Sequence, residues 1–210
     1  MTDQRSQQVG VSRGSSGERF GVIALALIIV GAIAAYVLLN SRSSGDTTRD
    51  LLPYQTLVQS LPDADQRMYG VIRQGVLGAE AERIRTSAWP SVELLAANGI
   101  APFAATDGGS AYTWSLLQQG SIINYFGQPK DGAAPSWLLE VQEPEPGMPP
   151  DMSPVDDEHH RLPDGTMLHI YVWMHRYGGQ VPVGFVRQPQ AAGWMSVYAT
   201  PPNPVYYNRR

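Results

Sequence analysis

The chain has 210 residues, a formal net charge of −4 and no cysteine. The absence of cysteine excludes disulfides, cysteine nucleophiles and metal sites built on thiolates. The excess of acidic over basic residues argues against nucleic acid as a partner, because a polyanion requires a basic face.

Residues 1–19 form a polar leader, and residues 20–39 form an apolar run without a charged residue, FGVIALALIIVGAIAAYVLL. A bilayer core of about 30 Å is crossed by about 20 helical residues. The run therefore predicts a transmembrane helix, so we expect a membrane as one partner.

Arginines near the ends of this run indicate its orientation. Arg5, Arg13 and Arg19 precede the run, and Arg42 and Arg49 follow it. The positive-inside rule favours a cytoplasmic N-terminus by this small difference. The large folded region after the run favours the same orientation, so we expect a single-pass protein of the inner membrane with a periplasmic C-terminal domain.

A cleaved signal peptide is the alternative to an anchor. Ala32-Ile33-Ala34 has the small-x-small pattern of a cleavage site. The apolar run is longer than the usual hydrophobic region of a signal peptide and continues past that point. We therefore expect an uncleaved anchor.

The predicted linker covers residues 40–50, and the predicted soluble domain covers residues 51–200. Residues 51–61 are loosely helical in pattern. Pro62-Asp63 begins a stronger helix, in which Met68, Ile72, Val76 and Ala79 lie on one face. Three glycines in this helix predict the close approach of a neighbouring element: Gly70, Gly75 and Gly78.

A second, shorter helix is predicted after Trp89-Pro90. Ser91 is a favourable N-cap, and Gly99 occupies the position at which helices commonly end. The apolar residues 100–103 follow and are expected to pack under the domain.

The second half of the domain is typical of strands. A hairpin is predicted from residues 111–117 and 121–127, and further strands from residues 136–142, 166–176, 181–186 and 193–199. Residues 143–163 contain six prolines and six acidic residues, which predicts an exposed, flexible loop that cannot pair in a sheet. Residues 201–210 form a proline-broken tail.

This order predicts an α+β fold. One or two helices should pack on a mainly antiparallel sheet of four to six strands.

The acidic loop contains a candidate metal site. Asp156, Asp157, Glu158, His159 and His160 are consecutive. Neutral imidazole suits zinc and similar divalent ions, and carboxylates can complete the ligand shell. The alternative is a solvated acidic loop without a ligand.

One face of the strand at 166–176 is a candidate interaction surface. His169, Tyr171, Trp173 and His175 alternate with aliphatic residues and so share a face. Their side chains combine apolar area with polar tips, as is common in interfaces. Alternatively, the face packs beneath the loops or the tail.

No sequence motif indicates catalysis. The chain has no nucleophile elbow, no phosphate-binding glycine loop and no HExxH. We expect neither catalytic residues nor enzymatic activity.

Three features together resemble a family of uncharacterised bacterial envelope proteins of this size. They are the N-terminal anchor, the segment from Trp89-Pro90-Ser91-Val92-Glu93 to Gly99-Ile100-Ala101-Pro102-Phe103, and Gly193-Trp194-Met195-Ser196-Val197. The resemblance implies a single-pass protein associated with metal-uptake transporters. It implies no functional residues.

Two functional hypotheses follow, and a third, an envelope enzyme, is the least favoured. The first is a membrane-anchored periplasmic accessory protein of a divalent-metal uptake system, with other envelope or transporter proteins as partners. The second is a structural or adaptor subunit of an envelope complex, without ligand or catalysis.

Overall fold

The computed structural model describes residues 51–104, 111–177 and 181–201, together with the single residue Ile29. All of these except Ile29 belong to one compact unit, Thr48–Arg210. The predicted leader, linker and all of the predicted anchor but Ile29 lie outside the described residues, as does the tail after Pro201. Within the described part of the chain, no helix is both long and apolar enough to span a membrane.

The described part of the unit contains two α-helices and seven strands. The helices are α1 (Asp63–Thr86) and α2 (Val92–Ala97), with short 3₁₀ helices at Val58–Ser60 and Pro189–Ala192. The strands are β1 (Gln55–Leu57), β2 (Tyr112–Gln119), β3 (Ile122–Pro129), β4 (Ser136–Gln142), β5 (His159–Arg161), β6 (Met167–His175) and β7 (Met195–Tyr198).

The strands form one mainly antiparallel sheet, which confirms the α+β prediction. Their order is β1-β7-β6-β4-β3-β2, and β5 also pairs with β6. The β1–β7 pair is parallel, and the other pairs are antiparallel. With seven strands among the described residues, the sheet is larger than the predicted four to six, because β1 and β5 are too short to be recognised from their sequence.

The prediction that residues 143–163 cannot pair in a sheet is wrong for its last part. His159–Arg161 pairs antiparallel with Met167 to His169 on β6. The connecting turn passes through Gly165, whose φ of 89° suits glycine. No proline lies between Pro154 and Pro163, so this stretch is free to pair although the segment as a whole is proline-rich.

Two further local predictions are also corrected. Residues 51–61 are not helical as a whole, because Gln55–Leu57 adds a parallel strand beside β7. Residues 181–186 form no strand. Val181 and Val186 instead pack against the sheet face opposite the helices. Pro182 lacks the backbone N–H that a strand would need as a hydrogen-bond donor.

The predicted face of α1 is confirmed. Ile72, Val76 and Ala79 are fully buried against the sheet. Cβ atoms built on Gly75 and Gly78 would collide with residues of the segment 100–103, so these two glycines admit that segment against the helix. Phe103 on the segment packs against aromatic rings of the sheet, as expected for an apolar loop under the domain.

The two faces of the sheet differ. The helix face, covered by α1 and α2, carries the main core, which includes Trp137, Leu139 and Ile170. The opposite face carries a smaller cluster, which consists of Phe126, Leu138, Trp173 and Trp194. Alternation along each strand separates these sets, since successive side chains point to opposite faces.

Candidate functional site

A groove of about 970 Å³ lies on the sheet face opposite the helices. Its floor is formed by β4 and β6, through Glu140, Gln142, His169, Tyr171 and Trp173. One wall contains Ser153 and residues 156–159, and another contains residues 187–190. We call this feature the groove. Its volume is typical of sites that bind small molecules.

Glu140 is the most unusual residue of the groove floor. It lies in the centre of the sheet and is 1% exposed. Its Oε1 accepts a hydrogen bond of 2.6 Å from Nε2 of Gln142, while Oε2 is buried without a hydrogen-bond partner. Burial raises the pKa of Glu140, because the charged form is poorly solvated there. The amide of Gln142 and the nearby indole of Trp173 lower the pKa of Glu140, but by less than burial raises it. The indole N–H of Trp173 is not aligned for a hydrogen bond.

Asn124 on β3 lies directly opposite Glu140 in the sheet. Its Nδ2 donates to the carbonyl oxygen of Val186 at 2.8 Å. This bond attaches residues 181–186, which we call the covering segment, to the sheet. Its Oδ1 is buried without a partner. Two adjacent strands therefore each present a buried oxygen without a hydrogen bond, a situation that native proteins usually avoid.

Two histidines meet at one end of the groove. His159 on β5 and His169 on β6 are cross-strand partners, with ring centroids 4.9 Å apart. Nδ1 of His159 lies 2.7 Å from Oδ1 of Asp156, and Nε2 of His169 lies 2.7 Å from Oδ2 of Asp151. Among the described residues, the second nitrogen of each ring makes no hydrogen bond.

The two carboxylates beside these histidines are charged at neutral pH. Hydrogen bonds from Ser153 and His169 hold the pKa of Asp151 down to about 2. Burial raises the pKa of Asp156, but hydrogen bonds from Glu158 and His159 outweigh it and lower the pKa overall. A carboxylate that accepts from one ring nitrogen leaves the other nitrogen as an acceptor in the neutral tautomer.

His160 lies on the other face of the sheet. Its Nδ1 is 2.6 Å from Oε1 of Glu80 on α1, and its Nε2 is 3.4 Å from Nη2 of Arg73. Nη2 of Arg73 also lies 3.8 Å from Oδ1 of Asp157. Because β5 is a strand, consecutive residues point to opposite faces, and this separates His160 from His159.

The five predicted metal ligands are therefore not brought together. Across the described ranges, no three His, Asp or Glu residues are placed to hold one ion. His159 and His169 are close to each other, but only His159 belongs to the predicted set. Whether a metal binds stays a prediction.

The four residues of the predicted interaction surface have different environments. His169 and Tyr171 line the groove. Trp173 also lines it but is only 8% exposed, because it packs in the cluster with Trp194. His175 contacts the ring of Trp194, at a centroid distance of 5.4 Å.

Two features of the groove were missed from the sequence. Glu140 is the single charged residue in the apolar strand SWLLEVQ, and that isolation was a signal of a special environment. The pairing of His159 with His169 had no local signal, because it depends on how β5 and β6 are aligned.

No curated protein and no solved structure matches the chain. One family model does match it, over residues 55–201, and is described as a family of unknown function, DUF6162. This range includes every strand and helix described above. The match carries no link to metal uptake or to an envelope, so that part of the resemblance stays a prediction. The chain belongs to the DUF6162 family.

Proposed function

We propose that the protein is a membrane-anchored periplasmic accessory protein of a divalent-metal uptake system, and that its domain binds the ion through His159 and His169. The role is one of binding, without catalysis. The observation that carries the proposal is the pair of adjacent imidazoles, each oriented by its own carboxylate.

The chemistry of the pair suits a transition metal. Histidines that bind metals commonly donate their other ring N–H to a carboxylate, which fixes the tautomer and raises the basicity of the ligand nitrogen. Asp156 and Asp151 are placed to do this. Two imidazoles on one tetrahedral zinc ion have ring centres about 5 Å apart, given Zn–N bonds of about 2 Å. The observed 4.9 Å agrees with that value.

Zinc titration of the full-length protein in mild detergent tests the binding. Isothermal calorimetry should give a saturable signal that weakens by at least about tenfold in His159→Ala and in His169→Ala, by analogy with the loss of a metal ligand or its orienting partner. His175→Ala is the matched control, because it removes an imidazole of the same strand that contacts Trp194 and not the histidine pair. Absence of saturable binding, or equal weakening by His175→Ala, would contradict this assignment.

The transport role needs a separate test in cells. Deletion of the gene should impair growth in the presence of a zinc chelator and lower cellular zinc. Complementation by the wild type should restore both, and complementation by the His159→Ala, His169→Ala double variant should not. Unchanged growth and zinc content after deletion would reject the uptake role.

The second candidate function is a structural or adaptor subunit of an envelope complex. One observation favours it: three residues of the predicted interaction surface, His169, Tyr171 and Trp173, line the open groove. Crosslinking in membranes followed by affinity purification separates the two functions. A transporter or metal-binding partner supports the first, and secretion, division or wall-synthesis proteins support the second.

A further inference from the structure

The centre of the groove floor has a buried carboxyl group, that of Glu140, without a counter-ion. No ion pair reaches Glu140 among the described residues, and its only hydrogen bond comes from the amide of Gln142. A buried carboxylate of this kind is costly unless a cation approaches it. The histidine pair lies at the next position along the strands, since Gln142 is opposite His169.

Two aromatic rings stand beside this carboxylate. Tyr171 lies opposite Glu140 on β6, and Trp173 follows on the same face. Their ring centroids are 6.3 Å apart and their planes are inclined by 50°. Both residues line the groove. Aromatic faces attract cations, and planar guanidinium groups also stack on them.

Most of the charged residues that line the groove are acidic, like Glu140 on its floor. Asp156, Asp157 and Glu158 lie on one wall, whereas Arg187 is the basic residue on the other. In addition, Gln142 uses its Nε2 to donate to Glu140, so its carbonyl oxygen is left as an acceptor for a ligand. The acidic residues and this acceptor oxygen are together complementary to a cation that carries several N–H donors.

We propose that the groove binds a guanidinium group, with Gln142 as the hydrogen-bond acceptor, Tyr171 and Trp173 as the aromatic surface and Glu140 as the counter-charge beneath them. Glu140 is 1% exposed, so it acts from under the floor. The volume of about 970 Å³ exceeds that of one side chain, so the guanidinium belongs to a larger molecule such as an extended peptide. This site does not depend on the proposed metal function.

A pair of probes that differ only in charge tests the proposal. N-acetyl-arginine amide carries the guanidinium, and N-acetyl-citrulline amide replaces it with a neutral urea of similar shape. Each is titrated into the full-length protein in detergent with EDTA present, so that metal plays no part. We expect saturable binding of the arginine probe with a Kd below about 1 mM, and none of the citrulline probe.

Variants locate the binding. Glu140→Gln and Gln142→Met should each weaken the arginine probe by about tenfold, as expected for the loss of a charge-assisted contact. Glu145→Gln, an exposed carboxylate outside the groove, is the matched control and should bind as the wild type does. Gln142 is only half-buried, so its variant keeps the test valid if Glu140→Gln fails to fold.

Two results would overturn the proposal: equal binding of the citrulline probe, or wild-type affinity in both groove variants. Lack of saturation by the arginine probe at about 50 mM would do so as well. The peptide N-acetyl-Gly-Arg-Gly amide identifies the source of the guanidinium. Tighter binding than the single residue supports a peptide segment, and equal binding supports a small free ligand.

Discussion

Nδ1 of His160 lies 2.6 Å from Oε1 of Glu80, a residue 80 positions earlier in the chain. Arg73 approaches the other ring nitrogen, Nε2, at 3.4 Å. A guanidinium group can only donate, so Nε2 is the acceptor and Nδ1–H donates to Glu80. The contact attaches the β5–β6 hairpin to α1 across the helix face of the sheet.

Removal of Glu80 should destabilise the domain. Glu80 is 8% exposed, so Glu80→Ala leaves the His160 donor without its partner, and we expect a loss of about 1–3 kcal/mol in the free energy of unfolding. Urea denaturation followed by tryptophan fluorescence measures this loss. Glu145→Ala, at an exposed position, should change stability by less than about 0.5 kcal/mol. Similar values for the two variants would show that the buried contact contributes no net stability.

Two glycines of α1 should respond to alanine with opposite signs. A Cβ on Gly75 would lie 2.5 Å from the carbonyl oxygen of Ala101 and 2.7 Å from Cδ of Pro102. Gly75→Ala should therefore cost about 1–3 kcal/mol through overpacking. A Cβ on Gly70 meets nothing within 4 Å, so Gly70→Ala should stabilise the helix by about 0.5–1 kcal/mol. Thermal unfolding of both variants measures the difference, and the same sign for both would contradict the packing.

Glu140 should make the stability of the domain depend on pH. Its pKa in the folded protein is raised above the ordinary 4.5, so the folded state binds this proton more tightly than the unfolded state does. The contribution of Glu140 to stability is then fully present below a pH of about 4.5 and is lost as pH rises through the folded pKa. Glu140→Gln should remove this contribution. Urea denaturation across that range compares the two proteins, and parallel curves would contradict the shift.

Glu143 should stabilise the end of β4 through two donors. Its Oε1 accepts from Nε of Arg83 at 2.9 Å and from Nε1 of Trp89 at 2.9 Å. Glu143→Ala leaves both donors unpaired and should cost about 1–3 kcal/mol. Glu143→Gln keeps an acceptor oxygen and should cost less. Chemical denaturation of both variants gives the order, and an equal cost for the two would show that the hydrogen bonds are not what matters.

Local sequence patterns predicted the elements whose stabilising contacts are short-range. Apolar residues spaced three or four positions apart identified the buried face of α1. Ser91 was expected as an N-cap, and its side chain accepts from the amide of Leu94. The strand predicted at residues 136–142 is β4 itself. These features depend on neighbours within a few positions of the chain, so a local sequence pattern is enough to predict them.

The tertiary structure decided which side chains share a site. Alternation on β5 separates His159 from His160, and the alignment of β5 with β6 places His159 beside His169. Glu140 is buried because β3, β6 and the covering segment enclose it. Strand pairing joins residues far apart in the chain, and a shift of one residue reverses every side chain. The local pattern therefore determined the anchor prediction, the helices and most strands, whereas long-range strand pairing decided which residues meet in the groove.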